Sequence, residues 1–185
     1  MGKVYVQVVV DVFCSLGFAK GYNSKMPVTA CDLLYERVLP FYEALGVPVG
    51  AILTDNGREF CGKPETHPYE LLLQLEDVEH RTTKVRSPRT NGFVGRMNRT
   101  LLEECFRVQG RQTWYVEIEE IQRDLDRFLA YYNLERSHQG YRLNGRTPAQ
   151  ALREALGQAE LPSLVYAQIE SAEQEQTETA DALSN

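Results

Sequence analysis

Val4 to Phe13 reads VYVQVVVDVF, a run rich in β-branched and aromatic residues with a single acid near its end. Continuous apolar character without alternation predicts a central strand buried on both faces, with Asp11 near the strand's C-terminal end. Ser15-Leu16-Gly17 then forms a turn, and Phe18 to Tyr22 fits a second, antiparallel strand. The pattern repeats at Val47 to Thr54, VPVGAILT, a second buried strand that Asp55-Asn56-Gly57 stops with strong turn chemistry. Two apolar strands that each end on an aspartate define an α/β reading.

Between them, Thr29 is placed to cap a helix over Ala30 to Leu45, where Leu33, Leu34, Val38 and Phe41 recur at helical spacing and Gly46 ends the run. Lys63 to Tyr69 is a loop with two prolines, followed by a helical segment from Glu70 to about Leu75. Glu79 to Lys84 is a short strand, and Ser87 to Gly92 is a loop because Pro88 disfavours helix at Ser87. A helix from Gly92 to Val108 carries a core stripe of Val94, Met97, Leu101 and Cys105. Another spans Ile118 to Asn133, with Ile121, Leu125, Phe128 and Tyr132 as its stripe. Thr147 and Pro148 open a last short helix to about Leu156.

The 185 residues, 43% hydrophobic and 25% charged, fit one domain with a tail. We divide the chain into a core over 1–156 and an acidic extension over 157–185, helical or disordered. No apolar run approaches a membrane span and no signal-peptide pattern follows Met1, which predicts a cytoplasmic protein with no membrane partner. The four cysteines are widely spaced and the three histidines do not cluster with them, so free thiols are expected and a zinc site is not.

Net charge is −6, which taken alone argues against nucleic acid. Its distribution argues the other way: Arg81, Lys84, Arg86, Arg89, Arg96, Arg99, Arg107 and Arg111 face only Glu103 and Glu104 in that stretch. From Glu170 onward there are acids and no base, so the low pI belongs partly to the tail.

Carboxylates ending neighbouring strands of a mixed sheet can form a Mg²⁺ site, because that hard ion takes oxygen ligands and keeps several waters. The bland alternative makes Asp11 a turn-capping residue and Asp55 part of a solvent-facing turn. VVVDVF, ILTDNGREF, SPRTNG followed by VGRMNRTLLEE, and YYNLERSHQGYRLNGRTP occur in the order and spacing of a known catalytic core. Over Lys3 to Leu156 the chain resembles the DDE integrase core of bacterial insertion-sequence transposases, in the IS481-like or IS3-like branch related to retroviral integrases.

The resemblance implies an RNase H-like fold: a five-stranded mixed sheet, its first three strands antiparallel, flanked by helices. It also implies DNA as partner (transposon ends and target), a homodimer or higher oligomer, and a nucleoid-associated place in a bacterial cytoplasm. Carried over by motif, Asp11 and Asp55 are metal ligands and catalytic. The third carboxylate falls on position 95, where this sequence has glycine. In such cores two Mg²⁺ or Mn²⁺ ions about 3.5–4 Å apart activate the nucleophile and stabilise the leaving oxygen of an in-line attack on a phosphodiester. Gly95 therefore implies impaired polynucleotidyl transfer. Glu103, eight residues on, lies about 12 Å further along the helix axis and cannot substitute. Glu59 matches a supporting position.

Lys84, Arg86, Arg89, Asn91, Arg96 and Arg99 are the expected DNA contacts, since cations beside the site suit a phosphate backbone. A solvated helix face and a simple Asn91 cap are the plainer readings. Tyr131, Tyr132, Asn133 and His138 match the resemblance too and read as packing or DNA contact. Two competing functions remain: a catalytically inactive DNA-binding or dimerising remnant, and a hydrolytic nuclease acting on RNA–DNA hybrids.

Overall fold

The computed structural model describes residues 2–84, 91–109, 114–140, 142–158 and 161. Strand β1 (Tyr5–Val10) and strand β2 (Gly17–Tyr22) pair antiparallel, from Tyr5 opposite Tyr22 to Val10 opposite Gly17. Helix α1 (Pro27–Leu33), a π-helical segment (Leu34–Val38) and α2 (Leu39–Ala44) run end to end. Strand β3 (Ala51–Thr54), helix α3 (Pro68–Leu75) and strand β4 (Glu79–Thr82) form a crossover, with β3 and β4 parallel. Helix α4 (Gly92–Thr100) continues through a π-helical segment (Leu101–Phe106) into α5 (Arg107–Gln109). Helices α6 (Ile118–Leu134) and α7 (Pro148–Leu156) complete the described elements.

Strand alternation separates two apolar clusters. Phe18 and Val9 join Leu33, Leu34, Val38, Phe41, Tyr69 and Leu73 on one face of the hairpin. Ala19, Val6, Val8 and Val10 meet Met97, Leu101, Leu125, Leu129 and Tyr132 on the other. Helices thus cover both faces of the hairpin, and Leu161 is buried in the first cluster. Residues 162–185, most of the acidic extension, lie outside the described residues. Cys14 and Cys105 are buried free thiols, each pushed up to about 12 by burial.

Several elements depart from the sequence expectation. β1 stops at Val10, not Phe13, and Val12 and Phe13 are 61% and 43% exposed. The Asp11 carboxylate takes the N–H groups of Phe13 and Cys14, which turns the chain before the apolar run ends. The first helix starts at Pro27 behind Met26, because proline suits the first helical position. Thr29 is therefore not its cap; its hydroxyl donates back to the Met26 carbonyl. Ahead of Pro40, which has no N–H to give, the π-helical turn lets Leu39 N–H reach the Leu34 carbonyl. The helices at Ile118 and Pro148 start where the sequence placed them, and α7 has a full capping box between Thr147 and Gln150.

A five-stranded sheet is not seen among the described residues: four strands form two separate two-stranded sheets. No third antiparallel strand follows β2, and the side chains around β2 give the reason. Asn133 Oδ1 accepts from Gly17 N–H at 2.9 Å while its Nδ2 donates to Gly17 C=O at 2.8 Å. Gln122 Oε1 accepts from Gly21 N–H at 2.8 Å, and Arg37 donates to Ala19 C=O at 3.1 Å. Arg37 also pairs with Asp126, whose Oδ1 accepts from Gln122 Nε2 at 2.8 Å. The outer edge of β2 is thus occupied by helix side chains. A Cβ at position 17 would come within 2.8 Å of the Met97 methyl, so a side chain there would require the buried Met97 to shift.

Candidate functional site

The turn after β3 is built from its own polar atoms. Asp55 Oδ1 accepts from Gly57 N–H at 2.9 Å, an Asx turn, and Asn56 Nδ2 donates to Thr83 C=O at 2.9 Å, tying the turn to the end of β4. Beneath it, Thr54 Oγ1 donates to Asp55 C=O and lies 2.8 Å from His80 Nε2. His80 Nδ1 in turn sits 2.9 Å from the Glu70 carboxylate on α3. A carboxylate only accepts, so Nδ1 carries the proton. This Glu70–His80–Thr54 chain fixes the Asp55 backbone from three elements, and the sequence reading did not find it. Glu59 is 6% exposed and pairs with Lys25 at 2.6 Å. A Cβ on residue 57 would come within 2.6 Å of that carboxylate, so a side chain there would have to push Glu59 from its place beside Lys25.

Asp11 is differently engaged. Oδ1 accepts from Phe13 N–H at 2.6 Å and Cys14 N–H at 3.2 Å, and Oδ2 accepts from the Tyr42 hydroxyl at 2.5 Å. Burial first, and then the Asp11 charge, hold the Tyr42 phenol well above its ordinary value, so it stays a donor. This is the turn-capping geometry.

Mg²⁺ or Mn²⁺ can be tested against these donors. A carboxylate offers about four lone-pair positions. Asp11 has three of its own taken, which leaves too little to bridge two ions. Asp55 keeps free positions, but Glu59 is spent on Lys25 and Gly95 brings no ligand. Among the described residues no three His, Cys, Asp or Glu side chains gather to hold a metal ion. The side chains present do not fit a two-ion centre.

Gly95 is exposed on α4, and a Cβ there would meet nothing within 4 Å. No turn or close approach requires glycine. Gly95→Ala is accordingly expected to raise stability by about 1 kcal/mol, read from the urea midpoint at unchanged m-value. A loss of stability would mean that something unseen needs the glycine.

Of the expected DNA contacts, Lys84 is exposed just past β4, and Arg96 and Arg99 are exposed on α4. The Arg96 guanidinium lies over the Phe93 ring and reaches toward Gly140. Asn91 occupies the N-cap position of α4, yet its side chain makes no capping bond. Arg86 and Arg89 lie outside the described residues.

His138 is held in one tautomer. Arg136 can only donate, so the His138 Nδ1 at 3.3 Å accepts, and Nε2–H donates to Tyr132 C=O at 3.2 Å. Arg136 also grips Glu104 in two bonds of 2.8 and 2.7 Å. Burial lowers the His138 value below 6.5, with the Arg136 charge acting in the same direction and the Tyr132 carbonyl opposing it. The unfolded chain therefore binds this proton first as pH falls. The stabilisation is complete above about 6.5 and is lost as pH drops through the folded value. Urea midpoints at pH 7.5 and 5 are expected to fall with acid by less in His138→Gln than in the parent; equal slopes would remove His138 from the account.

Comparison with known proteins agrees with this architecture. Residues 76–148, from just before β4 to the first residue of α7, match the integrase core domain family. Over 79% of its length the chain is 26% identical to the putative integrase ORF3 of Spiroplasma virus SpV1-C74. It is 32% identical over a similar share to the uncharacterized protein K02A2.6 of Caenorhabditis elegans. The chain spans only 41% and 10% of those two relatives. Among solved structures, the HTLV-2 integrase catalytic core domain in complex with magnesium superposes with a TM-score of 0.58 at 17% identity, over 81% of this chain and 85% of that one. The BIV integrase catalytic core gives 0.59 at 21%, over 83% and 88%. The fold is that of an integrase catalytic core, RNase H-like and mixed α/β. The chain shares that fold, and over the matched segment it is similar to integrase core domains.

Proposed function

We propose that this chain is the DNA-holding core of a transposase of the insertion-sequence type, whose class joins DNA ends by transesterification, and that its own acids are too few for efficient strand transfer. The single observation that supports it is the match of residues 76–148 to integrase cores, because that segment contains most of the basic stretch and the α4 helix. Mg²⁺ or Mn²⁺ is the ion of that class, and of the two aspartates Asp55 is the one that keeps free lone-pair positions. Arg96 and Arg99 hold the backbone of the bound strand. Assembly as a dimer or larger oligomer on transposon ends and target DNA, in the cytoplasm of a bacterium, belongs to the same reading. The HTLV-2 core has been solved in dimeric and trimeric forms.

The Asp11 turn and Gly95 favour the inactive remnant over a working enzyme. Binding of the 185-residue chain to duplex DNA should fall linearly on a log–log plot against salt. Strand transfer with Mg²⁺ or Mn²⁺ should stay at background, in the parent and in Gly95→Glu alike. Absence of binding at low salt would sink the DNA-holding role; efficient joining by the parent would sink the claim of an incomplete acid set.

A further inference from the structure

The loop after α6 brings two arginine–aromatic pairs together. His138 N–H donates to Arg146 C=O at 3.1 Å and Gly145 N–H returns to His138 C=O at 2.8 Å, which closes the base of the loop. Within it, Leu143 N–H donates to Gly140 C=O at 3.1 Å, and the Leu143 side chain is 1% exposed in the first apolar cluster. That anchor leaves Arg142 exposed at the preceding position, held at φ 68°, a left-handed backbone uncommon outside glycine. Such a conformation persists where its surroundings over-determine it, and it gathers at ligand sites. The Arg142 guanidinium lies 5.5 Å from the centre of the Phe13 ring.

Phe13 is 43% exposed although it ends an apolar run, and the preceding Val12 is 61% exposed. The turn beneath holds it there: Asp11 Oδ1 takes the Phe13 N–H, and Asp11 N–H donates to Leu16 C=O at 2.9 Å. From α4, the Arg96 guanidinium lies 5.8 Å from the centre of the Phe93 ring, and a Cβ on Gly140 would stand 3.2 Å from Arg96 Nη1. Gly140 and Arg142 are two residues apart, at most about 7 Å between Cα atoms. Phe13, Arg142, Arg96 and Phe93 therefore form one band, a ring at each end and two cations between, from the Asp11 turn to the first turn of α4. Of the acids nearby, Glu104 is gripped by Arg136, and Asp11 is engaged by its own turn and by Tyr42.

An exposed ring gains from a flat partner, and a base offers its face only where it is unpaired, because a duplex hides its base faces in the stack. Cations between the rings suit the phosphates that join successive nucleotides. We propose that Phe13, Arg142, Arg96 and Phe93 hold an unpaired DNA strand, one base against each ring, so that the chain tells a duplex with a single-stranded end from a blunt one. This rests on the DNA-holding role and goes beyond it, since phosphate contacts position a strand without touching its bases.

The test compares binding of the 185-residue chain to one duplex in three forms: blunt, with a short single-stranded thymine end, and with an abasic end of the same length. The thymine end should bind about tenfold more tightly than the abasic end, which has the same phosphates and no bases. Phe13→Leu keeps an apolar side chain on the surface without a flat face, and should lower that ratio severalfold; together with Phe93→Leu it should bring the ratio close to one. Phe13→Trp should preserve the ratio. Its introduced indole should also lose emission with the thymine end and not with the abasic end, beyond any change that Trp114 shows in the parent. A ratio of one in the parent, or a ratio that survives both leucine substitutions, overturns the proposal and leaves the DNA-holding role standing. Absence of binding to all three forms at low salt overturns both.

Discussion

Asn133→Leu is expected to cost about 3 kcal/mol or more of folding stability, which for a chain of this size lowers the melting temperature by roughly 10 °C. Asn133 is 8% exposed, and among the described residues its amide is the partner of both Gly17 N–H and Gly17 C=O. Leucine keeps the branching at Cγ but is larger, so some overpacking in this buried place adds to the loss. The loss itself comes from two backbone groups in a buried strand that are left without partners, and each such group costs about 1–3 kcal/mol. Asn133→Asp separates the two halves of the effect: it keeps an acceptor for Gly17 N–H and places a carboxylate against Gly17 C=O. It should be as damaging as leucine at neutral pH and recover partly in acid. Gln122→Ala, which removes one partly buried bond to Gly21, is expected to cost about 1 kcal/mol. A loss below that value in Asn133→Leu, measured by urea and thermal denaturation, would mean that β2 finds other partners when the amide is gone.

That clamp also marks where the sequence stops being informative. Thr147-Pro148 and the Ile118 helix were readable because their caps and stripes are local, within four residues of the groups they serve. Asn133 and Gly17 are 116 residues apart, and nothing in YYN signals that its amide will mimic a neighbouring strand. The apolar run before Asp11 was read too long for a related reason. A strand-ending metal ligand and an Asx turn are spelled with the same letters, and only the Phe13 and Cys14 N–H bonds tell them apart. Tyr42, which takes the other Asp11 oxygen, comes from 31 residues away. At the candidate site the turn at Asp55 and the unfilled side of α4 at Gly95 were legible, since one is turn chemistry and the other a missing side chain. The Glu70–His80–Thr54 chain under Asp55 was not, because it joins three elements whose pairing depends on the β3–β4 register.

Replacing Arg96 and Arg99 together by alanine is expected to weaken binding to duplex DNA by roughly 60-fold at 0.1 M salt. Each phosphate neutralised releases counterions and contributes a slope of about −0.9 to the log–log salt dependence. At 0.1 M that is about eightfold per contact, and the two contacts multiply. The slope itself should become less steep by about 1.8, a change that separates lost phosphate contacts from a general loss of folded protein. Folding should survive, because both side chains are exposed on α4 while Met97 and Leu101 hold the helix to the core. Arg96 gives up its place over Phe93, a contact worth about 0.5–1 kcal/mol at an exposed site, so a small drop in melting temperature is expected from that residue and none from Arg99. Because phosphate contacts position DNA without reading it, the loss should be equal for unrelated sequences. An unchanged salt slope would place the DNA elsewhere on the molecule, and a loss confined to one sequence would turn these arginines from backbone contacts into base readers.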